Sequence, residues 1–238
     1  MYYNSIPATT YRSERTRVRR QPTRGAYDPH AVHAMLDGAL VAHVAFVDAG
    51  QPYCIPMLHA RVDDGVYIHG SSASRALRVL STGVPACVTV TVLDGVVLAR
   101  SAFEHSANYR SAVILGRFER VEEAKKRLAA LEAFTNKLLP GRWSEVRGPT
   151  RKELRATAIL RMPIEEASVK ARAGPPSDDG SADAELTTWA GVIPILTSYG
   201  RPERSPGLKA GIPLPQSALQ LLGAGSPSRS AEEVDEST

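Results

Sequence analysis

The chain has 238 residues, 43% of them hydrophobic and 23% charged, which suits one globular domain with a sizeable core. Its net charge of +4 is too small to mark a nucleic-acid or membrane-surface protein by itself. No apolar run approaches the roughly 20 residues of a membrane span, and Cys54 and Cys87 are too few for a disulfide scaffold.

The opening MYYNSIPATT has neither a basic start nor an apolar core, so a soluble, cytoplasmic protein is the expectation. Arg12, Arg15, Arg17, Arg19, Arg20 and Arg24 crowd residues 1–25, opposed only by Glu14. The plain reading is a solvated arm; contact with nucleic acid or an anionic partner is the sharper one. Asp28-Pro29 starts a helix, with Asp as cap and Pro at the first helical position, and Gly38 ends it.

Residues 40–47 then read as an apolar strand, 48–51 as a turn and 52–62 as its partner. Pro56 marks an edge or bulge and leaves a gap in the ladder donors. A second turn at 63–65 leads to strand 66–69, and SSASRALRVL becomes a short helix closed by Gly83 and Pro85. Strand 86–93 alternates, Asp94-Gly95 is a tight hairpin turn, and 96–100 returns. A polar loop, SAFEHSANYRS, separates this hairpin from strand 112–121.

Residues 122–139 carry the clearest helix period, with Leu128, Leu131, Phe134 and Leu138 inward. Glu122–Lys126 and Glu123–Arg127 would pair on its wet face. A short helix at 152–156 and strands at 158–162 and 166–171 follow. Both cysteines lie in apolar strand contexts, so two buried free thiols are expected, with a disulfide left open. Beyond 173 the chain turns rich in Pro, Gly, Ser and acid, apart from the island Trp189 to Ile195. Trp143 and Trp189 are expected to clamp this extension to the core.

Many short strands and few helices describe a mainly β protein, a β-barrel with peripheral helices. The divisions are a basic arm (1–25), the barrel (26–173), a docking extension (174–222) and a disordered tail (223–238).

Val66 to Leu80, VYIHGSSASRALRVL, holds the densest chemistry. Arg75 and Arg78 sit in the first turns of a helix whose start already carries partial positive charge. Ser71, Ser72 and Ser74 add hydroxyls there. A phosphate would suit this place, and a serine-capped, solvated surface helix is the other reading. His69, just upstream, suits a proton donor or a structural hydrogen-bonding role. His30 and His33 have a metal-ligand spacing but no carboxylate in the zincin manner. Gly-x-Ser-x-Gly, Walker A and Rossmann fingerprints are absent.

The stretches YDPHAVHAMLDGALVAHVAFVDAGQPYCIPMLHAR, IHGSSASR, SAFEHSANYRSAVILGRFERV, PGRW and WAGVIPI together resemble the pyridoxamine 5′-phosphate oxidase-like FMN-binding split barrels. The nearer branch is that of the nitroimidazole-resistance, or flavin-nucleotide-binding, proteins. The resemblance spans residues 15–195. It implies that Ser74 and Arg75 hold the FMN phosphate, and that His69, Gly70 and Ser71 meet the ribityl chain and phosphate. It places Ile55, Pro56 and Met57 beside the isoalloxazine ring, and matches Asn108, Tyr109, Arg110 and Ser111 to a stretch of this branch. It further implies a homodimer with FMN between subunits, and an oxidoreductase acting on a small molecule, nitroreductase-like or pyridoxamine-phosphate-oxidase-like. His69 would be the catalytic residue. A non-catalytic flavin or haem protein is the alternative, with His69 or His105 as haem ligand; a nucleic-acid-binding barrel is a further one. The true oxidases carry Lys after the Ser-Arg pair where this chain has Ala76, which puts pyridoxamine phosphate oxidation itself in question.

Overall fold

Turn chemistry sets the strand order. Ala49 and Gly50 both take positive φ, 49° and 82°, so the two-residue connection matches strand twist and closes a hairpin. Asp63 does the same at φ 49° one strand later. The computed structural model describes residues 10–178 and 180–224. The expected disordered tail lies outside them from residue 225 on.

In chain order the elements are β1 (Gly25–Ala26), α1 (Pro29–Gly38), β2 (Val41–Asp48), β3 (Gln51–Val62), β4 (Gly65–Ser71) and α2 (Arg75–Leu80). Then come β5 (Pro85–Leu98), β6 (Ser106–Arg117), β7 (Glu119–Arg120) and α3 (Ala124–Leu138). The chain continues with α4 (Arg151–Ala156), β8 (Thr157–Pro163), β9 (Glu166–Arg172), β10 (Gly191–Pro194) and α5 (Gln216–Ala224). The strands form one antiparallel sheet in the order β1-β9-β6-β5-β2-β3-β4-β8-β7, with β10 added to β5. The fold is therefore mainly β with peripheral helices.

The sheet curls around a core of alternate side chains such as Val44, Ile68, Val88, Ile114 and Leu160. Each such buried side chain contributes roughly 1.5–3 kcal/mol. Asp28 caps α1 through a 2.9 Å hydrogen bond from the Ala31 N–H. The helix then seals one end of the core with Val32, Met35 and Leu36. A second, smaller core lies on the outer face of β3 and β4, where Ala60, Tyr67 and Ile159 pack under Ala130 and Phe134 of α3.

Several expectations are corrected. Asp94-Gly95 is not a turn. β5 runs unbroken from Pro85 to Leu98, with a register shift between Leu93 and Gly95. Asp94 is held across the ladder by the Arg110 guanidinium at 2.9 and 2.7 Å. A Cβ on Gly95 would stand 2.9 Å from Val192, so this glycine admits β10 rather than bending the chain. The polar loop is also shorter than read, because β6 starts at Ser106.

In α3 the buried residues are Ala130 and Phe134, while Leu128 and Leu138 are exposed. Lys126 pairs with Glu123 at 2.9 Å, not with Glu122. The Arg127 guanidinium donates to the carbonyls of Val121, Leu154 and Thr157 instead of meeting Glu123. Cys54 is exposed and Cys87 half-buried, and both are free thiols.

The apolar island does dock, as β10. Trp189 is no clamp, since it is 63% exposed. The extension is tied instead by the β10 ladder and by the buried Asp178, whose carboxylate accepts from the Arg100 N–H at 2.6 Å. Ser217 on α5 adds hydrogen bonds from its N–H and hydroxyl to Glu145 at 3.0 and 2.5 Å. At the other end, Arg15 and Ser13 bind Glu166.

Candidate functional site

β3 and β4 pair only from His59–Ile68 to Val62–Gly65. Beyond that they part. Residues 51–58 of β3 keep β2 as their one ladder partner, while β4 stays paired with β8 through Ser71. The result is a split with an open strand edge. Pro52 and Pro56 lie along that edge and have no N–H to donate. The gap expected at Pro56 is therefore a true strand edge. Ile55 and Met57 turn inward against the main core, and Pro56 is exposed.

The near end of the split is built by a tight chain reversal. Ser74 N–H donates to Ser71 C=O at 2.9 Å, and Ser71 Oγ accepts from Ala73 N–H at 3.2 Å. A Cβ on Gly70 would come within 3.0 Å of Leu77, so Gly70 lets α2 lie close against β4. Ala76, Leu77 and Leu80 are buried, which turns Arg75 and Arg78 to solvent. The Ser72 and Ser74 hydroxyls have no hydrogen-bond partner among the described residues.

The Arg75 guanidinium sits 4.4 Å from the centre of the Tyr53 ring, which in turn stacks on Phe46. Tyr53 was not singled out from the sequence. Its signal was alternation with Ile55 and Met57 on one face of β3. Through it, Ser71, Ser74 and Arg75 are brought beside the strand that carries Ile55, Pro56 and Met57.

At the far end stands His69. It shares the outer face of β4 with Tyr67, and its ring centre is 4.2 Å from that of Phe134. Its Nδ1 is buried without a hydrogen-bond partner. Burial pushes the imidazole pKa below its ordinary value. Burial thus favours the neutral form of the ring.

His59 shares the buried, unpartnered Nδ1 but is engaged at its other ring nitrogen. It is 1% exposed, and its Nε2 lies 3.0 Å from both the Leu36 carbonyl and the Lys137 ammonium. Burial and the neighbouring charge push His59 down to about 4. Burial pushes Lys137 down to about 8. This pair was not foreseen either.

Asn108, Tyr109, Arg110 and Ser111 lie on β6, separated from β3 in the sheet by β5 and β2. Asn108 is engaged by the buried Arg172 and donates to Gly174 C=O at 3.1 Å. Arg110 is bound to Asp94, and Ser111 donates to Lys170 C=O at 3.3 Å. One chain does not bring these four to the split. His105 is exposed with Nδ1 2.8 Å from Ser101 C=O, remote in sequence and strand from the split. His33 is bound to Tyr11 and Asp64, and no group of three or more metal-ligating side chains occurs among the described residues.

The outer face of β2, β3 and β5 carries no helix beyond the reach of α3. Register aligns Val41 with Leu58, His43 with Pro56 and Thr89, and Ala45 with Cys54 and Cys87. Val41, Val47, Leu58 and Leu93 are exposed there. No described helix is long and apolar enough to cross a membrane.

The family model for pyridoxamine 5′-phosphate oxidase matches residues 28–171. The chain belongs to the pyridoxamine 5′-phosphate oxidase-like family. Its architecture is that family's split barrel. The flavocytochrome Anf3 from Azotobacter vinelandii is 40% identical, over 88% of this chain and 97% of that one, with a TM-score of 0.82. The FAD and haem binding protein from Mycobacterium smegmatis is 43% identical, over 83% of this chain and 97% of that one, with a TM-score of 0.79. A protein assigned to 5-nitroimidazole antibiotic resistance from Bacteroides thetaiotaomicron shares the fold at 19% identity, with a TM-score of 0.52 over 61% of this chain and 85% of that one. No curated relative matches the chain.

Proposed function

We propose that this chain is a homodimeric flavin- and haem-binding redox protein acting on a small molecule. One observation carries the reading: the split edge of β3 has an unpaired cation with free hydroxyls at one end and an unpartnered imidazole at the other. Arg75, Ser71 and Ser74 suit a flavin phosphate, which accepts a guanidinium fork and several hydroxyls. Pro56 suits the flat ring beside it. His69, with no hydrogen-bond partner on its buried Nδ1, would suit a ligand to haem iron. The two relatives above 40% or at 40% identity are a flavocytochrome and a FAD and haem binding protein, which supports both cofactors here.

The residues at the near end of the split suit the phosphate of FMN and of FAD alike. When bound, flavin supplies two-electron chemistry and haem one-electron chemistry. The protein contributes the anchoring charge, the low-dielectric wall of Phe134 and the orientation of His69. Self-association through the uncovered face of β2, β3 and β5 would bury its exposed apolar residues Val41, Val47, Leu58 and Leu93.

The test is the absorption spectrum of the purified protein, with released chromophores identified by mass. Flavin bands together with a Soret band are expected. His69→Ala should lose the Soret band and keep flavin; Arg75→Ala should lose most flavin. A colourless protein that takes up neither added flavin nor added haemin would refute the proposal.

A further inference from the structure

The arginines of the N-terminal segment do not sit on a loose arm. Tyr11 is buried; its N–H donates to Tyr27 C=O and its C=O accepts from the Ala167 N–H, both at 2.9 Å. Thr16 is buried too. The Val18 N–H donates to the Tyr27 hydroxyl at 2.8 Å, and a Cβ on Gly25 would stand 3.1 Å from Val18. Residues 12–24 are therefore a closed loop held against β1 and β9. Arg12, Arg15, Arg17, Arg19 and Arg20 are exposed on it, and Arg24 is half-exposed.

This loop carries the whole positive excess of the chain. It holds six of the 29 basic residues and one of the 25 acidic ones, which leaves 23 against 24 elsewhere. Arg15 is bound to Glu166, and Arg12 lies 5.3 Å from the centre of the Tyr27 ring. Arg17 meets Glu14 only at 3.9 Å, with both side chains mostly exposed, a pairing that contributes little. The side chains of Arg19, Arg20 and Arg24 have no hydrogen bond or ion pair among the described residues. Residues 1–9 contain no acid to oppose them. Pinning like charges in one loop costs repulsion that a free arm would relax, unless an anion joins them.

We infer that the acidic end of the same chain is this anion, and that Glu232, Glu233, Asp235 and Glu236 dock on the arginine loop. These four acids fall within five residues, beyond the described part of the chain. Their root lies on the loop's side of the molecule. α5 is held through Ser217, whose N–H donates to Glu145 at 3.0 Å. Two residues before Glu145, the Trp143 N–H donates to Asn136 at 3.1 Å. Lys137, next to Asn136 on α3, donates to Leu36 C=O. One turn back on α1, His33 lies 3.2 Å from the Tyr11 hydroxyl. A short path of contacts thus joins the root of α5 to the start of the arginine loop. Glu232 is eight residues past Ala224, a reach of up to roughly 26–29 Å. Docked there, the tail shields the loop from nucleic acids and other polyanions, and an acidic partner has to displace it.

The experiment adds a fluorescein-labelled peptide of residues 225–238 to full-length protein and follows its anisotropy. It needs no cofactor. In one variant the chain's own tail is neutralised by Glu232→Gln, Glu233→Gln, Asp235→Asn and Glu236→Gln. This variant should bind the peptide at low salt and release it as salt is raised. Wild type should bind it at least about tenfold more weakly, because its tethered tail competes at an effective concentration on the order of millimolar. In the tail-neutral chain, Arg17→Ala, Arg19→Ala and Arg20→Ala together should weaken the peptide at least about tenfold. Lys125→Ala, Arg151→Ala and Arg155→Ala together remove as much charge from exposed positions elsewhere and should leave it bound. No peptide binding by the tail-neutral chain would overturn the inference, as would equal binding by wild type. So would a control triple that loses the peptide as fully as the loop triple. Wild type that binds a duplex oligonucleotide as tightly as the tail-neutral chain does would also overturn it, since the loop would then stand open to nucleic acid.

Discussion

Lys137→Met should raise the stability of this protein near neutral pH, and the gain should vanish in alkali. Lys137 reaches from the end of α3 to the Leu36 carbonyl and lies 3.0 Å from His59 Nε2. Asp37 favours its charge and Arg61 opposes it, but those two are bound to each other at 2.9 and 2.7 Å. Burial dominates and lowers the ammonium from 10.5 to about 8. A lowered lysine pKa means that the unfolded chain holds the proton more tightly. Stability is reduced in full below pH 8 and recovers as pH rises from about 8 to 10.5. The shift corresponds to roughly 3 kcal/mol at face value. The group is partly exposed, and solvent screening leaves on the order of 1–2 kcal/mol. For a chain of this size that is about 2–8 °C in Tm. Methionine keeps the apolar stem and removes the charge. The assay is thermal unfolding of both proteins from pH 6.5 to 10. The variant's advantage should be widest at pH 7 and shrink to roughly a quarter of that by pH 10. A gap that stays constant across this range, or a variant less stable at pH 7, would refute the reasoning.

Two further perturbations test how the C-terminal extension is held. Gly95→Val places its Cβ 2.9 Å from Val192 and 3.1 Å from Ile193 C=O, so β10 should leave β5. Limited proteolysis should then cut between residues 185 and 200 faster than in wild type, while the barrel fragment survives; unchanged cleavage would show that the glycine is not what admits the strand. Asn108→Ala removes the acceptor that engages the buried Arg172. It should cost roughly 1–3 kcal/mol in urea unfolding, and a loss below about 0.5 kcal/mol would make that bond dispensable.

Local chemistry was legible in the sequence and distant chemistry was not. Asp28-Pro29 announced α1 because a cap and a first-turn proline act within four residues. Gly83, at φ 77°, was legible for the same reason. Asp94-Gly95 misled because the dipeptide that favours a turn also suits a bulged strand. Only β10, nearly 100 residues later, decides between them. Leu128 and Leu138 matched the helix period, yet α3 buries just one narrow stripe on the strands beneath it. His59 and Lys137 are 78 residues apart, and no spacing rule could join them. In the split, Ser71, Ser74 and Arg75 stood out because they fall within five residues of one another. Tyr53 did not, because its part depends on where α2 lands.

An open strand edge is ordinarily a hazard, since its free N–H and C=O groups invite another chain to pair. Here the hazard is removed by Pro52 and Pro56, which withhold two donors from the exposed side of β3. A neighbouring strand cannot form a regular ladder there. A flat ligand needs no regular ladder, so the same two residues that block pairing leave the edge usable for one. The helix that could have covered it is also placed elsewhere. Phe134 anchors α3 over Ala60, Tyr67 and Ile159, and its ring stops at His69. Beyond that point the outer face continues uncovered through Leu58 and Pro56 to Cys54. His69 therefore stands where the cover of α3 ends. That position desolvates the imidazole against Phe134 and lowers its pKa below the ordinary value.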